Sequence, residues 1–280
     1  MAITFVAWEN LAFNAAFIFY LGATLYYALA LLFGQNRLSG AATLLAAAGL
    51  MLHTAALILR TLEGGRAPFS NQFEFASVFA WGIVLAYLVL ERQLRFRYRS
   101  LGIFVLPVAL IVLAYATFLP REIRPLIPAL QSGWLKVHVG SAILAYGAFA
   151  LAFGLALVFL IREYGEYHQR WATLLARIPT LPLLDQLSRR IVAFGFFMQS
   201  LVIITGAIWA EQAWGRFWGW DPKETWSLVT WFVYAVYLHT RFARGWQGRR
   251  AAWLAIIGFA CVLFTYIGVN ILLPGLHSYR

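Results

Sequence analysis

The chain has 280 residues, of which 62% are hydrophobic and 17% aromatic, while only 12% carry charge. A soluble domain carries about 25% charged and about 45–50% apolar residues, so this sequence has too little polar surface to coat a water-soluble globule. The 22 basic residues outnumber 11 acidic ones, but they lie in short loops between apolar runs. They read as topology signals and lipid-headgroup contacts rather than as a nucleic-acid interface.

Crossing a bilayer as a helix takes about 20 apolar residues. Runs over about 11–33, 41–60, 74–90, 102–119, 138–161, 191–210, 225–240 and 251–273 meet or approach that length. They predict an all-α integral membrane protein of about eight transmembrane helices, forming a single polytopic domain over 1–280 with no repeat and no soluble domain. The first run begins with Glu9 rather than a basic segment and has no small-residue cleavage site before Arg37, so it reads as a span and not a removable signal peptide. The seventh run is the shortest and relies on its aromatic ends; an alternative count of seven leaves it lying differently.

Between the second and third runs, Gly-Gly-Arg66-Ala-Pro68-Phe-Ser70-Asn71 carries turn chemistry. Glu74 then opens the third run, where it suits a helix N-terminus. The inner loop at about 162–190 reads as a short amphipathic helix broken by Pro179 and Pro182. The single cysteine, Cys261, has no partner in the chain for a disulfide and sits in an apolar run, as a small buried residue does.

With the N-terminus outside, fourteen of the 22 basic residues fall in inner loops and seven of the 11 acidic residues fall outside. Arg and Lys bias sets orientation, so both termini are expected on the outer, periplasmic or lumenal, side.

The densest feature is then an outer loop at about 209–226, between the sixth and seventh runs. It reads Trp209-Ala-Glu-Gln-Ala-Trp214-Gly-Arg-Phe-Trp218-Gly-Trp220-Asp221-Pro-Lys223-Glu224-Thr-Trp226. An aromatic belt accounts for one or two tryptophans at a helix end. Indoles interleaved with glycines and the charges of Asp221 and Lys223 suit a platform for a large planar ligand. Trp214, Trp218, Trp220, Asp221 and Trp226 are its candidate lining. His138, at the mouth of the fifth run, and His277, just past the eighth, fall at the same outer interface. Two imidazoles at one depth beside an aromatic platform match the axial ligands of a haem iron. Lys136, Lys223, Arg216, Arg121 and Arg124 are the outer basic groups able to pair its propionates.

His239, near the inner end of the seventh run beside Arg241, and His53, inside the second, lie at membrane depth. An ionisable residue there is costly without a partner and is a functional candidate for that reason; the structural reading is a neutral imidazole bonded to a neighbouring helix. His168 falls in the inner loop as a solvated residue.

Trp218-Gly-Trp-Asp-Pro-Lys-Glu-Thr-Trp-Ser-Leu228, Tyr237-Leu-His-Thr-Arg241, Gly268-Val-Asn…Gly-Leu-His-Ser-Tyr279, the Ala67-to-Phe75 loop and Trp134-Leu-Lys-Val-His-Val139 resemble the tryptophan-rich haem-handling proteins of cytochrome c biogenesis, in their CcsA (ResC) branch. CcmC and CcmF share the tryptophan signature, CcmF in far longer chains. The resemblance implies non-covalently bound haem b, carried outward and presented to the CxxCH motif of an apocytochrome c. It makes the chain the haem-presenting subunit of a cytochrome c synthase, with a CcsB (ResB)-type membrane protein as the other subunit and a thioredoxin-like thiol reductant as a further partner. Whether this subunit alone is an enzyme stays open, and no nucleophile or proton donor stands out. By resemblance His138 and His277 ligate the external haem and His239 serves an inner haem site. The bacterial plasma membrane is the expected location, with the thylakoid as the other setting. Two other readings of the residues remain: a membrane cytochrome b that only carries electrons, and a transporter of another amphipathic substrate.

Overall fold

The computed structural model describes residues 5–273 and 275. Among the described residues the chain is all helical, without strands. Ten α-helices follow in order: α1 (Phe5–Phe33), α2 (Asn36–Gly64), α3 (Gln72–Gln93), α4 (Gly102–Thr117), α5 (Gly133–Tyr167), α6 (Ala172–Leu175), α7 (Leu181–Trp214), α8 (Pro222–Arg244), α9 (Arg249–Leu263) and α10 (Val269–Leu272). A 3₁₀ turn, Arg99–Leu101, leads into α4, and a π-turn, Phe264–Gly268, joins α9 to α10.

Among the described residues, seven helical stretches are long and apolar enough to cross a membrane: α1, α2, α3, Arg99–Thr117, α5, α7 and Arg249–Leu272. The chain is an integral membrane protein. The seventh expected run, 225–240, forms α8, 23 residues long, or about 34 Å at 1.5 Å per residue, but it is not among these seven stretches. Its length suffices, but Lys223, Glu224, His239, Arg241 and Arg244 make it the polar exception that the short seventh run foreshadowed.

The apolar runs stop where charged residues begin, but the helices continue. α5 has 35 residues and α7 has 34, each about 50 Å and longer than a bilayer with its headgroups. The inner loop expected at 162–190 is therefore mostly helix. Only 168–180 connects α5 to α7, and the expected amphipathic helix is the four-residue α6. Pro182 sits in the first turn of α7, where the missing N–H is harmless.

The contacts of the chain cluster into two units. Unit 1 takes 5–68, 72–124 and 161–180; unit 2 takes 69–71, 125–160 and the described residues from 181 onward. In unit 1, α1 buries Phe13, Ala16, Tyr20, Ala23, Tyr27 and Ala30 while Leu11, Ile18, Leu25 and Leu32 stay exposed. That is the 3.6-residue stripe of a helix with one face on protein and the other on lipid. α2 meets α1 through Ala42, Ala46 and Gly49, where a Cβ on Gly49 would lie 2.8 Å from the Tyr20 ring. Small residues let membrane helices approach closely when lipid provides no hydrophobic drive.

At one end of unit 1 a buried ionic network joins α1, α2 and α3. Arg60 donates to Glu9 and Glu74 at 3.0 Å each, and Arg66 donates to the second Glu74 oxygen at 3.0 Å. Arg60 also donates to the Arg121 carbonyl at 3.0 Å, and Arg121 reaches Asn10 Oδ1 at 2.8 Å. Burial lowers the pKa of Arg121, opposed by Glu9 and reinforced by Arg60. Glu74 is thus an ion-pair partner of two arginines. At the other end, Arg177 Nη1 donates to the Leu31 and Leu32 carbonyls at 2.6 and 2.8 Å, capping α1. Arg162 likewise donates to the carbonyls of Leu175, Ile178 and Pro179.

In unit 2, α8 buries Thr230, Tyr234 and Tyr237 on one face. The Tyr234 ring stacks on Phe149 of α5 at 3.6 Å with 4° between planes. The ring also lies against Gly258 of α9, where a Cβ would lie 2.6 Å from Tyr234 Cζ. Asp185 of α7 pairs with Arg241 of α8 and accepts from the Gly248 N–H at 3.0 Å, fixing the start of α7, the end of α8 and the turn into α9.

Candidate functional site

His138 stands in the second turn of α5, half-buried against the last third of α7. Its Nδ1 lies 2.9 Å from the Val202 carbonyl oxygen. A main-chain carbonyl can only accept, so Nδ1 carries the proton and, in the neutral ring, Nε2 carries the in-plane lone pair. One turn on, a Cβ at Gly206 would lie 2.9 Å from both Cε1 and Nδ1 of the imidazole. Another turn on, Trp209 stacks with the imidazole at 5.7 Å and 28°. Trp209 is itself buried and donates its indole N–H to the Ala129 carbonyl at 2.8 Å.

Trp209 also meets Trp214 at 5.0 Å, so a row of three rings runs from His138 to the end of α7. The loop to α8 begins at Gly215, with φ +72°. Within it Trp218 and Trp220 meet edge to face at 5.7 Å. Trp220 is 69% exposed and sits at φ +56°, a left-handed conformation that costs a bulky residue about 1–2 kcal/mol. Phe96 and Trp171 hold the same left-handed region in other turns of the chain, so this conformation accompanies the tight turn into α8. Arg216 folds back against Gly219, where a Cβ would lie 2.6 Å from its Nε.

Asp221 is the N-cap of α8. It accepts the Lys223 N–H at 3.0 Å, and Glu224 returns the favour by accepting the Asp221 N–H at 3.1 Å and the Gly219 N–H at 2.8 Å. With Pro222 at the first helical position this is a capping box. The acidic part of the tryptophan motif therefore starts a helix, and it pins the loop while doing so. Trp226, one turn into α8, contacts Phe264 of the π-turn at 4.2 Å; such turns are frequent at functional sites.

The other sequence candidates separate. His239 is exposed on α8, 17 residues beyond Pro222, so about 25 Å along the helix from the tryptophan loop. His277 lies outside the described residues. His53 in unit 1 is fully buried, with Nε2 2.9 Å from Ser77 Oγ and Nδ1 3.3 Å from the Tyr20 hydroxyl, which is the structural reading of a membrane-depth imidazole. His168 bonds the Tyr164 carbonyl at 2.9 Å. Of the basic residues expected on the outer side, Arg121 and Arg124 are engaged within unit 1, the latter by Glu122 at 2.8 Å. Lys136 is exposed on the first turn of α5. Among the described residues no cluster of three or more His, Cys, Asp or Glu side chains forms a metal site.

Sequence reasoning did not find Val202, Gly206 or the Ala129 carbonyl. A glycine three residues before Trp209 in an apolar run was the one visible signal.

A family model described as cytochrome C assembly protein matches residues 69–277. The cytochrome c biogenesis protein CcsA of Synechococcus sp. (strain JA-3-3Ab) is 37% identical over 97% of this chain and 95% of its own length. CcsA of Prochlorococcus marinus (strain MIT 9303) is 40% identical over 88% and 85%, and CcsA of Mesostigma viride is 35% identical over 97% and 96%. Among solved structures, cytochrome c heme lyase CcmF matches with a TM-score of 0.70 at 16% identity, over 95% of this chain and 47% of that one. At that identity the likeness is one of fold, shared with about half of a longer protein.

Proposed function

Because the chain belongs to the cytochrome c assembly family, in its CcsA group, and so acts in cytochrome c maturation, we propose that it carries haem b across the membrane and presents it to the CxxCH motif of an apocytochrome c. The observation that carries this reading is the meeting of His138 with the row Trp209–Trp214 at the end of unit 2 from which the tryptophan loop extends. An imidazole with its Nδ1–H taken by a carbonyl is the usual form of a metal-ligating histidine, because that bond fixes the tautomer and raises ligand basicity. The donor set thus suits the iron of an incoming haem.

In this reading His138 and His277 are the two axial ligands. Trp214, Trp218, Trp220 and Trp226 form the apolar face, and Asp221 holds the loop by capping α8. Haem is cargo here, and the thioether chemistry is largely its own, between vinyl groups and reduced thiols. This chain positions the iron, keeps water from the face and leaves an edge of the ring accessible to the apocytochrome. His239 serves an earlier haem position about 25 Å away along α8. A CcsB (ResB)-type membrane protein covers that exposed face and a thioredoxin-like protein keeps the thiols reduced. The tryptophan loop and both termini face outward from a bacterial plasma membrane.

The test is the absorption spectrum of the detergent-purified chain, oxidised and reduced, with a pyridine extract to count haem. A six-coordinate low-spin b-type spectrum, lost in His138→Ala/His277→Ala together with cytochrome c maturation, supports the reading. An unchanged spectrum and unchanged maturation in that variant overturn it. So does a complete absence of haem both from the chain alone and from the chain purified with its CcsB-type partner.

A further inference from the structure

We propose that Val202, Gly206 and Trp209 form a mount on α7 that fixes His138 as an Nε2 donor and sets the angle of its ring; this rests on the haem-presentation reading for its purpose, though not for its geometry. The three residues are spaced i, i+4 and i+7, so they share one face of the helix. Each supplies a different constraint. The Val202 carbonyl takes the Nδ1 proton at 2.9 Å. Its two lone pairs let it serve the helix and the imidazole together. Gly206 makes that approach possible, because any side chain there would begin 2.9 Å from Nδ1 and Cε1, closer than carbon and nitrogen atoms rest in packed interiors. Trp209 is the wall behind the ring, and its bond to the Ala129 carbonyl at 2.8 Å keeps the wall from swinging.

Glycine in the interior of a helix costs about 1 kcal/mol relative to alanine, and the three nearest atoms that a Cβ at Gly206 would meet all belong to His138. Val202, Gly206 and Trp209 are thus positioning residues, acting on any iron through His138. The merely structural alternative is a half-buried imidazole that has found a convenient acceptor; in that case the tautomer is incidental and alanine at 206 costs packing only.

The experiment is ¹⁵N magic-angle-spinning NMR of histidine-labelled protein in lipid, without haem, with the His138 signals assigned by their loss in His138→Gln. The wild type is expected to show His138 in the Nδ1–H form at neutral pH. Gly206→Ala is expected to convert at least half of that signal to the Nε2–H form. Trp209→Phe keeps a ring but removes the bond to Ala129, so it should give a smaller loss; it also serves if the alanine variant does not fold. In haem-loaded protein the same variants are expected to lose low-spin absorbance in the same order, with the iron midpoint potential moving upward as the ligand loses basicity. An Nε2–H form in the wild type, or an Nδ1–H form unaltered by both variants, overturns the mount. If the wild type shows the Nδ1–H form and both variants disturb it, yet no haem binds with or without the partner chain, the mount stands and the haem reading falls.

Discussion

Among the described residues, unit 1 and unit 2 differ in how completely their buried polar groups are paired. In unit 1 they close on each other: Arg60 with Glu9 and Glu74, His53 with Ser77 and Tyr20, and Glu91 with Tyr27 and Thr43. Five buried side-chain polar atoms lack a hydrogen-bond partner among the described residues, and four of them are in unit 2: Gln199 Oε1, Tyr234 OH, Arg241 Nε and Asn270 Oδ1. Native proteins leave few such atoms, and each asks for an explanation. His53 and His138 show the contrast at one residue type. His53 faces two hydroxyls, which can donate or accept, so either tautomer is satisfied. His138 faces a carbonyl, which permits one. Burial alone therefore does not separate the two histidines; the kind of partner does.

The largest expected effect tests unit 1 as a self-contained support. Arg60→Met removes the cation between two buried carboxylates, and breaking a buried ion pair costs about 3–5 kcal/mol. Detergent-solubilised protein should show a markedly lower melting temperature and yield. If it is as stable as the wild type, the closed network is not what holds unit 1. Next comes His138→Gly. Partners one step removed from a metal are worth about 10–100-fold in affinity, so loss of the ligand itself should lower haem retention by at least about 100-fold. Added imidazole should restore the low-spin spectrum, and failure to do so would put the ligand elsewhere.

His53→Leu sharpens the contrast between the two histidines. It strands the Ser77 and Tyr20 hydroxyls, at a cost of about 1–3 kcal/mol in stability, and should leave the haem spectrum untouched. A spectral change would move His53 from the scaffold to the site. The smallest effect belongs to Asp221→Ala, which removes a helix cap worth about 1 kcal/mol and should loosen haem retention only a few-fold. Asp221→Asn keeps the acceptor and should recover most of it; an asparagine variant as poor as alanine would mean that the charge touches the ligand.

Seven of the eight expected spans were legible because apolar runs of bilayer length leave little choice in a chain this poor in charge; the eighth, α8, is helical but too polar to join them. The nearness of His138 to Trp209 was legible too, once topology placed both at one end. The ends of α5 and α7 were not, because hydropathy falls at Arg162 and Arg189 while the backbone goes on as helix. The Asp-Pro-Lys-Glu string carried a capping-box spacing that the ligand reading of Asp221 overshadowed. The Val202–His138 bond and the Arg60 network join residues 64 and 51 positions apart, and periodicity within one helix carries no information about such pairs.

The cap on α1 sets an order of events during synthesis. The Leu31 carbonyl waits for Arg177, which the ribosome adds 146 residues later. At about 5–20 residues per second the first helix spends roughly 7–30 s with its last carbonyls served by water or headgroups. During that interval residues 125–160, which belong to the other unit, have already been made. Unit 1 is therefore begun first and finished second, and the Leu31 and Leu32 carbonyls lack this partner until Arg177 has been made.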